Sequence, residues 1–276
     1  MNMQSSVITL TFGDVGENHK GMQMIGQRVE RGDGFNYADL DEIKKRAEEK
    51  GCVATIYSLN TTLDEYDAEN DADDAYVLVI RNVIQTVFNQ YDELCREQLS
   101  LNYDKKAFMY GRVVNKHARY NLCFDDTSQE PSYEEGKGRI VAYTDMPVLN
   151  KMKQYFNQLF GPKFQDMKCE SNYYYDKNTT GIGYHGDSER RKVVALRLGS
   201  SLPIHYQWYK NHMPVGLNTK LELNGGDMYV MSEKAVGTDW KESSKYTLRH
   251  ATGCDKFTQV TIPKPKQQKR KNVETE

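Results

Sequence analysis

The chain has 276 residues, 38% of them hydrophobic, with 37 Lys plus Arg against 39 Asp plus Glu and a net charge of −2. This composition supports one large or two modest cores and excludes wholesale disorder; the charge balance excludes general attraction to polyanions, so nucleic-acid affinity would need a local basic patch. No apolar run reaches membrane-spanning length, the first residues lack the pattern of a secretory leader, and Cys52, Cys95, Cys123, Cys169 and Cys254 form no CxxC pair, so a cytoplasmic or nuclear protein without disulfides is expected.

In chain order, Val7 to Phe12 reads as a strand. The polar run Gly13 to His19 that follows reads as a plain loop or a substrate-contacting one. Asp39 to Glu49 reads as a helix capped by Asp39, with Leu40, Ile43 and Ala47 on one face. Cys52 to Leu59 reads as a strand. Asp64 to Asp74 holds seven carboxylates but no glycine, which fits a solvated loop better than a calcium loop. Ala75 to Gln98 reads as a helix with Val79, Val83, Val87 and Leu94 on its apolar side.

From about Lys105 the pattern changes to short β-rich runs: Phe108–Val114, Arg119–Phe124, Met167–Tyr175, Val193–Leu198, Ile204–Trp208, Asp227–Met231, Tyr246–His250 and Phe257–Ile262. One amphipathic helix, Pro147 to Phe160, interrupts them, opened by proline and stopped by Gly161-Pro162. Many short strands separated by turn residues predict a β-sandwich or jelly roll. The expected division is an N-terminal α/β extension over 1–104, a β-rich domain over 105–262 and a basic, disordered tail over 263–276.

The chemistry concentrates in Gly183-Tyr184-His185-Gly186-Asp187-Ser188-Glu189. At strand period His185 and Asp187 share a face, so an imidazole nitrogen and a carboxylate oxygen can converge on one ion. A lone His-x-Asp is a common accident. His250, in a later β-rich run, offers the second imidazole. Two histidines and one carboxylate leave three positions open, as ferrous iron needs for a bidentate co-substrate and O2 together.

These segments resemble the AlkB-like branch of the iron(II)/2-oxoglutarate dioxygenases. The likeness spans about Tyr110 to Ile262 and is carried by Asn172-x-Tyr174, by the His185-x-Asp187 stretch, by Val193 to Gly199, by Gly226 to Met231 and, more loosely, by Lys116 to Asp126. It implies an α+β fold built on a double-stranded β-helix, or jelly roll, with flanking helices. It also implies Fe(II) held by His185, Asp187 and His250, and 2-oxoglutarate contacted by Asn172 and Tyr174. The family's usual arginine at the head of the last strand is replaced here by Lys256, the expected partner of the co-substrate's far carboxylate. Arg249 is the competing cation, but its neighbour His250 should point to the opposite face.

The activity implied is oxidative demethylation of alkylated bases in DNA or RNA, as in DNA repair. The alternative is hydroxylation of a protein side chain or small metabolite on the same fold. For a nucleic-acid substrate, Arg112, Lys116, Arg119 and Arg190-Arg191-Lys192 form the expected basic groove, with Tyr110, Tyr120 and Phe124 between them for stacking. His205, Tyr206, Trp208 and Tyr209 line a substrate pocket or pack the barrel.

Overall fold

The computed structural model describes residues 3–262, so the basic tail expected over 263–276 lies outside the described residues. The strands are β1 (Val7–Gly13), β2 (Val15–Glu17), β3 (Met24–Gly26), β4 (Val53–Ser58), β5 (Tyr76–Arg81), β6 (Lys106–Met109), β7 (Arg112–Asn115) and β8 (Tyr120–Asp125). They continue as β9 (Ile140–Ala142), β10 (Lys168–Tyr174), β11 (Gly181–His185), β12 (Val193–Gly199), β13 (Ile204–Lys210), β14 (Met213–Leu221), β15 (Met228–Met231) and β16 (Thr247–Gly253). The α-helices are α1 (Tyr37–Glu49), α2 (Thr61–Asp64), α3 (Tyr91–Leu99), α4 (Pro147–Phe160), α5 (Glu233–Val236) and α6 (Asp255–Thr258). The fold is α+β and rich in sheet. None of the described helices is long and apolar enough to cross a membrane.

Eight strands form a large sheet in the order β4-β5-β15-β12-β1-β10-β8-β9, and four form a smaller one in the order β11-β16-β13-β14. Alternation along the large sheet gives it two different faces. On β1, Ile8, Leu10 and Phe12 join a core under the helices, with Leu40, Ile43 and Ala47 of α1 and Leu149, Met152 and Phe156 of α4. On the other face, Val193, Ala195, Tyr229 and Met231 pack against Tyr206, Trp208 and Leu248 of the smaller sheet. The molecule is therefore layered helix, sheet, sheet. Trp208 is fully enclosed and donates its indole N–H to the Leu59 carbonyl at 2.7 Å, so it serves packing.

Strand β1 pairs antiparallel with both β10 and β12, in the middle of the large sheet. Residues 1–104 thus share one sheet with 105–262, to which they contribute β1, β4 and β5.

Three local expectations are corrected. The cap of α1 is Asn36, and Asp39 sits at the third helical position, closing a capping box with Asn36. The segment 75–98 is not one helix. It comprises β5, a π-helical turn at Ile84–Phe88 and α3, because the apolar run Tyr76-Val77-Leu78-Val79-Ile80 is a strand with buried residues on both faces. Phe257–Ile262 is not a strand either: α6 forms there, and Phe257 folds back onto Gly181, where a Cβ would stand 2.6 Å from its ring.

Candidate active site

A cleft of about 810 Å³ opens between the two sheets. Its large-sheet wall carries the side chains that alternate away from the helix-side core: Thr9 and Thr11 of β1, Glu170, Asn172 and Tyr174 of β10, Arg197 of β12 and Tyr229 of β15. The opposite wall carries Ile182 and His185 of β11, and His250 and Thr252 of β16. The hairpin β2–β3 adds Glu17, His19, Lys20 and Met24, so the run from Gly13 to His19 does reach the cleft.

His185, Asp187 and His250 meet in this cleft, each offering a ligand atom within 4.8 Å of the others. Their convergence depends on an irregularity. Strands β11 and β16 pair Gly181 with Gly253 and Ile182 with Thr252, which would place Tyr184 opposite His250. The register shifts before His185, so His185 faces His250 instead and their ring centroids lie 4.5 Å apart. One extra residue in a strand is what re-aims a side chain in this way.

Asp187 lies just beyond the strand, where its backbone N–H donates to the Val236 carbonyl at 3.0 Å. Gly186 permits the turn: a Cβ there would stand 2.0 Å from the carbonyl oxygen of Gly237. Asp187 Oδ1 is then 3.4 Å from His185 Nε2 and 3.8 Å from His250 Nε2.

The protonation states suit a cation. His185 Nδ1 donates to the Gly183 carbonyl at 2.8 Å, which assigns the proton to Nδ1 and leaves Nε2 with its lone pair towards Asp187. Burial holds the imidazole of His185 below its ordinary pKa, and burial with the neighbouring His185 pushes His250 down to about 3. Burial alone would raise Asp187, but the Arg190 guanidinium beside it holds its carboxyl below the usual range. Two neutral imidazoles and a carboxylate therefore face one point, a donor set that fits a divalent first-row metal.

The low pKa of His250 has a testable consequence for the metal-free protein. The unfolded histidine takes up a proton near 6.5 and the folded one does not, so the unfolded state binds more protons and stability falls as the pH drops below about 6.5. Glu189 acts in the opposite sense over part of this range, because burial and the Asp187 carboxylate push its pKa up to about 7. Replacing His250→Gln should therefore reduce the loss of thermal stability between pH 7 and pH 5. Melting curves of both proteins at the two pH values test this, and equal losses would contradict it.

Around the triad runs a charged layer. Arg190, only 4% exposed, donates to Glu170 Oε2 at 2.8 Å, and lies 3.3 Å from Glu189 Oε1 and 3.7 Å from Asp187 Oδ2. Asn172 accepts from Arg119 Nε and donates to Glu170, both at 2.7 Å. Asn172 and Tyr174 thus line the cleft.

Lys256 does not line it. It is exposed on α6, because the strand expected to begin there is absent and β1 occupies the sheet position between β10 and β12. Arg249 stacks on Tyr209, 3.8 Å from its ring centroid, and also lies over Trp240, consistent with a side chain turned away from His250.

The basic groove expected from sequence does not form as a unit. Arg112 sits in the β6–β7 hairpin and lines a separate hollow with Lys106 and His117. Lys116 is buried, bonding to the side-chain oxygens of Asn18 and Asn121, and burial pushes its pKa down to about 8. Arg190 is buried among carboxylates, and Arg191 pairs with Glu233 at 2.8 Å. Arg119 alone of the expected arginines reaches the cleft without a carboxylate partner among the described residues. Asp14 accepts from the backbone N–H groups of Arg191 and Lys192, and of this run Arg190 is buried whereas Arg191 and Lys192 are half-buried.

Cations that sequence reasoning did not single out do stand at the mouth. Lys20 and Lys241 each lie 5.7 Å from the Trp240 ring centroid, and Arg28 donates to the Ser188 carbonyl at 2.7 Å. Among the described residues none of these three cations has a carboxylate within ion-pair distance. His205 bonds to Asn218 outside the cleft.

No protein-family model matches the chain. It is similar to the uncharacterized protein R156 of Acanthamoeba polyphaga mimivirus, with 49% identity over 250 residues that cover 91% of this chain and 96% of that protein. The chain belongs to the same family as that protein.

Proposed function

We propose that this member of the R156 family is an iron(II)- and 2-oxoglutarate-dependent dioxygenase, a reading carried by the meeting of His185, Asp187 and His250 in one cleft. The sheet arrangement supports it. The run β15-β12-β1-β10 faces β11-β16-β13-β14, as in a jelly roll whose last large-sheet strand has been replaced by the N-terminal β1. The residues present fit the group: the imidazoles are neutral with Nε2 of His185 free to bind, and Asp187 is held ionised by Arg190. When bound, ferrous iron would supply the activation of O2. The chain would orient the ion, seat the 2-oxo acid beside Asn172 and Tyr174, and exclude bulk water between two sheets.

The substrate in this reading is an alkylated base of DNA or RNA. Support comes from the mouth, where Trp240 offers a stacking surface and Lys20, Lys241 and Arg28 offer charge to phosphates. A protein side chain or small metabolite is the alternative. The test is incubation of the iron-loaded protein with 2-oxoglutarate and O2, with methylated and unmethylated oligonucleotides offered in parallel. The proposal predicts succinate formation stimulated by the methylated strand, with loss of its methyl group. Succinate formation indifferent to every oligonucleotide would remove the base as substrate, and absence of succinate would remove the dioxygenase.

A further inference from the structure

Arg197 is completely buried in the middle of β12, in the otherwise apolar run Val193-Val194-Ala195-Leu196-Arg197-Leu198. Its Nη1 donates to Thr9 Oγ1 at 2.5 Å and its Nη2 to Thr252 Oγ1 at 3.0 Å. Its Nε has no partner, and no carboxylate pairs with it among the described residues. Glu170, Asp187 and Glu189 of the cleft lie against Arg190 instead. A guanidinium remains charged in a protein, and a buried charge without a counter-charge is costly. Arg197 nevertheless faces the cleft that contains the triad.

The hydroxyls beside it are not equivalent. Thr252 Oγ1 donates its proton to the Pro203 carbonyl at 2.6 Å, whereas the Thr9 hydroxyl proton has no acceptor among the described residues. An anion reaching Arg197 would find two donors that lack partners, the Arg197 Nε–H and the Thr9 O–H. These donors come from β12 and from β1, strands paired at Thr9 and Arg197.

We infer that Arg197 and Thr9 form the binding site for the far carboxylate of a dicarboxylic acid whose other end reaches the triad. With the dioxygenase reading, on which this assignment of the near end rests, the ligand is a 2-oxo dicarboxylate of the 2-oxoglutarate class. The anchor is then neither Lys256 nor Arg249, and the N-terminal strand is part of the ligand site.

The test measures binding and needs no turnover. Protein loaded with Mn(II) is titrated calorimetrically with 2-oxoglutarate and with 2-oxopentanoate, which carries a methyl in place of the far carboxylate. Metal-free protein is titrated with glutarate, which has no 2-oxo group to chelate a metal. Wild type should prefer 2-oxoglutarate to 2-oxopentanoate by roughly 10–100-fold, the range for a charge-assisted hydrogen bond. Arg197→Met should erase that preference and leave both Mn(II) affinity and 2-oxopentanoate binding unchanged. It should also abolish glutarate binding to the metal-free protein. Because the variant removes an uncompensated buried cation, its metal-free melting temperature should equal or exceed that of wild type, whereas an arginine with a merely structural role would leave it lower. Arg197→Lys should retain part of the preference. The inference is overturned if Arg197→Met keeps the wild-type preference, or if wild type does not distinguish the two oxo acids and binds no glutarate. Failure of wild type to bind Mn(II) strikes the metal reading alone, since glutarate binding reads the Arg197 site without a metal.

Discussion

Asp187→Ala should eliminate ferrous iron binding, and with it all iron-dependent consumption of 2-oxoglutarate. Asp187 is the one carboxylate in the candidate donor set, placed 3.4 Å and 3.8 Å from the two imidazole nitrogens. Two neutral imidazoles alone carry no charge to offset that of a divalent ion. The surrounding charge makes the loss more severe, because the positive charge of Arg190, 3.7 Å from Asp187, would no longer be offset by that carboxylate. Equilibrium dialysis under anaerobic conditions should show one iron per wild-type chain and none for the variant at micromolar concentrations. An Asp187→Ala protein that retains stoichiometric iron would place the metal elsewhere.

The largest effect on stability is expected from Arg190→Met. Arg190 is enclosed with Glu170, Asp187 and Glu189, and its bond to Glu170 at 2.8 Å lies between side chains that are each 5% exposed. Burial alone would raise the pKa of Glu170, yet Arg190 and Arg119 hold it below the ordinary value. Removing the cation leaves buried carboxylates facing one another, and breaking such a pair from one side costs about 3–5 kcal/mol. Urea unfolding of the metal-free protein at pH 7 should show a loss of that size. The deficit should shrink as the pH is lowered and the stranded carboxylates take up protons. A loss below about 1 kcal/mol would mean that Arg190 is more solvated than its burial indicates.

The candidate donor set of His185, Asp187 and His250 was legible because it carries a local signal. His185-x-Asp187 is a pattern of residue types at strand spacing, and His250 is a second imidazole in a later β-rich run. The amphipathic stripe and the proline and glycine stops of α4 were equally local, and the helix spans Pro147–Phe160 as read. What escaped depended on long-range pairing. The strand character of β1 was readable, but its seat between β10 and β12 depends on partners about 160–190 residues away, and alternation does not encode sheet order.

The extra residue that brings His185 opposite His250 likewise belongs to the pairing of two strands rather than to either one. Arg190 and Lys116 read as part of a basic groove because cations usually lie at the surface, and their burial follows from Glu170, Asn18 and Asn121 arriving from other strands and loops. Arg197 did leave a trace. A single arginine inside a strand whose two faces are both buried has no route to solvent, so it must have a partner or await one.

The most direct test of the whole account is a coupled measurement on the wild-type protein reconstituted with one equivalent of Fe(II): O2 consumed and succinate formed from 2-oxoglutarate, followed together with and without substrate. Turnover without substrate should be slow, with succinate formed and O2 consumed in equal amounts, and no reaction should occur when zinc replaces iron in the same site. A protein that binds one iron at His185, Asp187 and His250 yet forms no succinate would contradict the account.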